Sequence, residues 1–384
     1  MKNGESRPLL LIFKRYKILF CISGGPLSSP IVQIKSLFGK TFWLAFFLLV
    51  VSVGISEWIA RTETFHTILT PPKMGSRHYQ LGHKLSLLNA AIKENGPIDC
   101  IMVGSSIVDV GFDPVTFQNS YQTATGRNIH CFNFGIDASS ATSTAALAQI
   151  LIEDYQPRLL IFGTDPRDYA LPRGDGDPAV ILETSWVQYR LGDFSLDGWL
   201  IEHSNFYRYR QHLSHLARLN FEGTLRSSTK MKFEILPNGF TPFSQVSTYI
   251  NKPPKPGDES FEVTYYSRIY SPYHIYDENL AALERIMGDR ETQVIVVEMP
   301  VSDGLYYFFG DGEKDYNRYI SNVSELAHRQ HVLFWRTEPL DFIPDIGWMD
   351  YSHMNMTGAE IFSTWLGQQI GNAENQGSIV SPER

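Results

Sequence analysis

An α/β fold, with a parallel sheet covered on both faces and a single apolar helix ahead of it, is what this 384-residue sequence predicts. Three observations carry the expectation: five short apolar runs, helix-period segments alternating with them, and one long uncharged stretch near the N-terminus. Strands buried on both faces read as continuous apolar runs, whereas strands with one wet face alternate. "DCIMVG" (99–104), "IHCFNFG" (129–135), "RLLIFG" (158–163), "QVIVVEMP" (293–300) and "HVLFWR" (331–336) are of the first kind. Helical spacing marks 114–126, 139–155, 277–287, 316–329 and 357–371, and in the last of these Thr357 and Glu360 stand in capping-box spacing. Strand alternating with helix gives three layers, helix on sheet on helix.

The uncharged stretch is "TFWLAFFLLVVSVGIS", Thr41 to Ser56, and with Leu37 and Phe38 it reaches the ~20 residues a bilayer core requires. Trp43 and Trp58 are placed as interfacial aromatics would be. Residues 1–40 hold seven Lys or Arg against Glu5 alone, a charge of +6 within a chain total of −8, so the remainder carries −14. Positive flanks stay inside, which puts the N-terminus in the cytoplasm and everything after Arg61 outside. A cleaved signal peptide and a buried soluble helix are the rival readings; the late start of the apolar stretch and the lack of a small-x-small site after it favour an anchor. "LLLIFKRYKILFCI" (9–22), broken by Lys14, Arg15 and Lys17, reads as lying on the inner membrane face. An acidic body repels phosphate backbones, which excludes nucleic acid as a partner class. Three cysteines are too few for a disulfide framework, and Cys100 and Cys131, inside apolar runs, read as small hydrophobes rather than as a bridge.

Residues 170–276 interrupt the alternation with helices (196–219), a Pro-rich link (251–258) and the tyrosine-dense "YYSRIYSPYHIY" (265–276). An insertion at a strand end is a natural lid or substrate platform. Its aromatics either stack on sugar rings or pack the insertion's own core. The organisation is thus a basic segment at 1–40, an anchor at 41–60, a juxtamembrane linker at 61–98, the α/β domain at 99–371 and a C-terminal tail at 372–384 whose closing "GSIVSPER" (377–384) reads as frayed.

Ligands in open parallel sheets bind outside the carboxyl ends of the strands. Gly104-Ser105-Ser106, Gly135, Thr164-Asp165 and, after the fifth strand, "DYSHMN" with Asp350 and His353 all fall at that edge. A serine near its free pKa is a weak nucleophile and needs a base plus something to orient the base. Asp350, three residues before His353, can turn back to Nδ1 and leave Nε2 free for Ser106. Backbone N–H groups at Ser106 and Gly135 are candidate oxyanion donors. No second His stands at ligand spacing for a metal, and "PRGDGDP" (172–178) follows no strand and lacks the Lys-Ser/Thr of a phosphate loop.

These segments resemble the blocks of the SGNH (GDSL-type) hydrolase superfamily, in its membrane-anchored bacterial form. "GSSIVDVG" resembles the first block, with Ser106 at the nucleophile position and Ser105 where the family often has Asp. "NFG" resembles the second, which implies an oxyanion donor at Gly135, and "DYSHMN" the fifth, with Asp350 and His353 as the Asp-x-x-His pair. The resemblance implies a flavodoxin-like three-layer sheet over 99–371 apart from the insertion. It breaks at the third block, where Asp165 replaces an Asn whose amide donates to the oxyanion. Asp165 is then protonated, or the third donor comes from elsewhere, or, the preferred reading, Asp165 is ionised and paired with Arg167, the two forming part of the oxyanion or substrate-binding set. By the resemblance the chain is an esterase or O-acyltransferase acting on acyl groups of cell-surface glycans or polymers, beside a membrane-bound O-acyltransferase, with no cofactor and no metal. A catalytically inactive relative that binds polymer or scaffolds a biosynthetic complex is the alternative. A lipase acting on the adjacent bilayer is the third reading.

Overall fold

The computed structural model describes residues 39–76, 78–171, 181–219, 224–225, 234–250, 252–255, 257–288, 292–337 and 342–380. The stretch 9–22, nearly all of the basic segment, "PRGDGDP" and the last four residues lie outside these. Two compact units divide the chain, Met1–Ile55 and Ser56–Arg384. Helix α1 (Lys40–Ala60, 21 residues) is long and apolar enough to cross a membrane, and its apolar side chains are exposed around it.

In the second unit α2 (Glu63–Ile68) and α3 (Tyr79–Asn95) precede β1 (Cys100–Gly104). Then come α4 (Ser106–Gly111), α5 (Pro114–Thr125), β2 (Cys131–Gly135), α6 (Ala141–Tyr155), β3 (Leu159–Thr164) and α7 (Pro166–Ala170). The insertion holds α8 (Ser185–Arg190), α9 (Leu196–His203), α10 (Asn205–Arg208), α11 (Arg210–Ala217) and α12 (Phe261–Tyr270). The chain closes with α13 (Asp277–Met287), β4 (Gln293–Glu298), α14 (Glu313–Gln330), β5 (Leu333–Trp335) and α15 (Met356–Asn375). All five strands are parallel, in the order β2-β1-β3-β4-β5, which is the flavodoxin-like order. Alternate strand residues feed two cores: Ile101, Phe134, Phe162 and Val296 meet α3, α6, α13 and α14, while Met102, Ile161 and Val297 meet α4, α5 and α15.

Three expectations need correction. The segment read as a linker contains α3, whose Leu81, Leu85 and Leu88 are buried against the sheet; the stripe was obscured by Lys84, which is itself fully buried. Cys100 and Cys131 form a disulfide with Cα atoms 4.4 Å apart, because the β1–β2 register sets them side by side on one face. The helices expected over 196–219 are present as α9, α10 and α11; between the first two, Ser204 is extended with a φ of −126°, and its hydroxyl caps α10 at the Tyr207 amide (3.1 Å) and donates to Glu57 Oε2 (2.7 Å). The tail is packed as far as it is described, with Ile379 buried and the Val380 amide on Gln293.

Three glycines at the strand ends create the seat for α4. A Cβ on Gly104 or Gly163 would lie 2.2 or 2.4 Å from Val108 Cγ2, and one on Gly135 would lie 2.3 Å from the Asp109 amide nitrogen. Val108 therefore drops into a hole that only glycine leaves open, and α4, which begins at Ser106, sits flat on the ends of β1, β2 and β3.

Candidate active site

Ser106 is the first residue of α4, directly beyond β1, so its first-turn amide has no intrahelical carbonyl to bind. From the far end of the chain, His353 arrives in the loop before α15. That loop is pinned by Asn355, not by the Thr357 capping box: Asn355 Oδ1 accepts from the Thr357 and Gly358 amides (3.0 and 3.3 Å) while its Nδ2 donates to the Ile346 carbonyl (2.7 Å). Asn355, at the cap, faces the first-turn donors, whereas Thr357 is already the second residue of the helix.

The structure brings three of the sequence-selected residues into line. Ser106 Oγ lies 2.8 Å from His353 Nε2, and His353 Nδ1 lies 2.9 and 2.8 Å from Asp350 Oδ1 and Oδ2. Asp350 Oδ1 also accepts from the amides of Ser352 (2.9 Å) and His353 (2.8 Å), so the carboxylate holds backbone and ring together. About a fifth of each of the Asp350 and His353 side chains is exposed, leaving the line open to an entering molecule. Burial works to raise the Asp350 carboxyl, but His353 and the two amides outweigh it and hold it below its ordinary value. Burial likewise opposes charge on His353, yet Asp350 overrides that and raises the imidazole. Such a line can take a proton from Ser106 and return it to a leaving group.

The other three residues are engaged within the protein. The Gly135 N–H, expected to face an oxyanion, donates to Asn133 Oδ1 at 2.9 Å, and the residue is glycine because α4 packs onto it. Asp165 is 1% exposed and caps α7, its Oδ1 accepting from the Asp168 amide at 3.0 Å, while Oδ2 has no partner. Arg167 does not form the expected ion pair with Asp165. Its guanidinium meets Asp168 at 3.7 Å, donates from Nε to Tyr265 OH at 2.7 Å and from Nη1 to the Ser139 carbonyl at 3.2 Å. The turn of α7 explains this, since a cap residue faces the helix start while the second helical residue points along it. Burial raises the Asp165 carboxyl despite Arg167 nearby, and burial and then the Asp165 charge raise Asp168 well above its ordinary value.

Sequence reasoning missed two contributors. Tyr266 OH lies 2.5 Å from Ser352 Oγ and donates to Asp350 Oδ1 at 3.4 Å, so the insertion supports the Asp350 loop directly. Tyr266, Tyr270 and Tyr273 are buried among Phe308, Phe309 and Tyr351, packing a core rather than facing solvent. Behind α4, buried Lys84 bonds Asp109 and reaches the Asn133 carbonyl and side chain, each at 3.4 Å. Gln80 joins Asp109 Oδ2 (2.8 Å) to the Asp137 amide (2.7 Å), and Thr241 adds a bond to Asp109 Oδ1 (2.9 Å). The only sequence signal was an acid, Asp109, inside an apolar run.

No family model matches this chain. No curated protein matches it either. Among solved structures, a gut microbial diltiazem-metabolizing enzyme aligns with a TM-score of 0.35 at 13% identity, over 71% of this chain and 47% of that one. The match thus spans about half of that enzyme's length, and a likeness so low carries no weight for the site. A cleft of about 740 Å³ between α2, α3 and the insertion, lined by Arg61, His66, Lys93, Trp186, Arg190 and Arg208 among others, includes none of the candidate active-site residues. Among the described residues no three His, Cys, Asp or Glu side chains gather as metal ligands would.

Proposed function

We propose that the chain is a membrane-anchored, outward-facing serine esterase or O-acyltransferase that acts on acyl groups of cell-surface glycans or polymers. The observation that carries the reading is the Ser106–His353–Asp350 line at the carboxyl edge of the sheet. Ser106 Oγ attacks an acyl carbonyl as its proton passes to His353 Nε2, and Asp350 steadies the imidazolium. Collapse expels the alcohol, which takes that proton and leaves an ester on Ser106. Water or a second hydroxyl then repeats the sequence in reverse, its proton going to His353 and back to Ser106. Three features support the outward placement: α1, the basic flank ahead of it, and the Cys100–Cys131 bridge, since disulfides persist in oxidising compartments. A membrane-bound O-acyltransferase is the partner this placement fits.

A non-catalytic, polymer-binding reading is favoured by two observations, the committed Gly135 amide and the sealed acid at Asp165 where a ligand-facing donor would serve an enzyme. Hydrolysis of p-nitrophenyl acetate by the full chain in detergent separates the two. Ser106→Ala and His353→Ala should each lose about a millionfold in kcat, and the double variant should be no worse than either, because residues acting as one unit are not additive. Undiminished turnover in folded Ser106→Ala rules the mechanism out.

A further inference from the structure

The start of α12 carries an aromatic pair of which Phe261 stands in solvent while Tyr265 packs in part against the core. Phe261 is 84% exposed, and its ring lies nearly parallel to that of Tyr265, with centroids 5.8 Å apart and planes 20° from each other. Ser260 caps the helix at the Val263 amide (3.4 Å), which fixes Phe261 at the first helical position. Tyr265 is held in place: its hydroxyl accepts from Arg167 Nε at 2.7 Å, and the guanidinium carbons of Arg167 and Arg268 lie 5.9 and 6.0 Å from its ring centre. The open ring of Phe261 is thus presented on a capped helix and backed by a fixed Tyr265, at little cost in side-chain freedom.

The pair also stands beside the candidate active site. Tyr266, the next residue, touches Ser352 and Asp350 through its hydroxyl. Glu262, next to Phe261, lies close enough to Asp350 and His353 for their charges to act on it, and it accepts from Tyr249 OH at 2.6 Å.

We propose that the Phe261–Tyr265 stack is a carbohydrate platform, on which a pyranose ring of the acylated or acceptor glycan lies while its ester reaches Ser106, an assignment that rests on the acyl-transfer reading of Ser106. A pyranose offers a flat face of C–H groups edged with hydroxyls, which matches an aromatic face ringed by polar side chains. Asp258, Glu259, Thr264 and Arg268 are exposed around the pair and supply that polar edge. A fatty acyl chain would instead require an apolar trough, and charged neighbours on both sides make this surface unsuited to one.

The test compares kcat/KM for an acetylated cello-oligosaccharide with that for p-nitrophenyl acetate, using the full chain in detergent. Phe261→Ala should lower the ratio of the two about tenfold, mainly through KM for the oligosaccharide, a size in keeping with one aromatic contact. Phe261→Trp, which keeps a ring at an exposed position that tolerates any side chain, should retain most of the ratio, and Phe194→Ala, a 76% exposed aromatic elsewhere, should leave it unchanged. An unaltered ratio in Phe261→Ala overturns the platform. So does a wild-type protein that cleaves p-nitrophenyl acetate but not the oligosaccharide ester, and this leaves the serine reading standing. Full turnover in Ser106→Ala removes the serine reading and the platform with it.

Discussion

Asp165 shows how one side chain can be necessary to a fold and still cost it stability. Its Oδ1 caps α7, but its Oδ2 is sealed without a partner, and Arg167 is drawn to Asp168. An acid whose pKa is raised on folding binds its proton more tightly in the native state, so stability falls as pH rises from the ordinary value of 3.8 through the raised one. Asn keeps the capping oxygen and cannot ionise. Asp165→Asn should therefore melt higher than wild type at neutral pH, and the gap should close as pH falls towards 3.8. Thermal melts across that range decide it, and a lower melting temperature for Asp165→Asn at neutrality would show that the negative charge is needed. The Asp350–His353 pair was legible in the sequence because its geometry is local, a turn of four residues. The fate of Asp165 was not, because which of two carboxylates an arginine meets depends on the side-chain direction of a helix start that the sequence does not display.

At the scale of elements, the unforeseen feature is the buried Lys84–Asp109 pair that ties α3 to α4 and, through Asn133, to the end of β2. Asn133 Nδ2 donates to the Val108 and Phe112 carbonyls (2.8 and 2.7 Å), closing the C-terminal end of the helix that carries Ser106. Removing one partner of a buried ion pair leaves an uncompensated charge and costs ~3–5 kcal/mol, whereas replacing both with apolar residues of similar size is often close to neutral. Lys84→Ala and Asp109→Ala should each show that large loss in chemical denaturation, and Lys84→Met with Asp109→Leu should recover most of it. Ester turnover should remain depressed in the double variant, since Gln80 and Thr241 lose the carboxylate that orders them around the Asp137 turn. A double variant that regains both stability and turnover would mean the pair does no more than fill the core. The strands themselves were legible because burial on both faces leaves continuous apolar runs. Helix α3 was not, because a lysine on its buried face imitates a solvated linker.

The whole molecule couples a helix fit for a membrane to an α/β unit whose strand ends collect a serine, a histidine and an aspartate from opposite ends of the sequence. Composition and charge predicted that division, since the basic flank and the apolar stretch are contiguous in the chain. The disulfide was out of reach of the same reasoning, because it depends on the register between β1 and β2, a property of two strands 31 residues apart. The glycines at 104, 135 and 163 carry a similar lesson. A glycine read as a donor to a ligand proved to be a place where one backbone lies against another.

The measurement that bears most directly on Ser106 is reaction of the full chain with a membrane-impermeant fluorophosphonate, on intact cells and on opened membranes, with the adduct located by mass spectrometry. An activated serine outside the membrane should be labelled at Ser106 to the same extent in both, and labelling should vanish in His353→Ala. Absence of any adduct on Ser106 in opened membranes, with the protein folded, would contradict the assignment of Ser106 as the nucleophile.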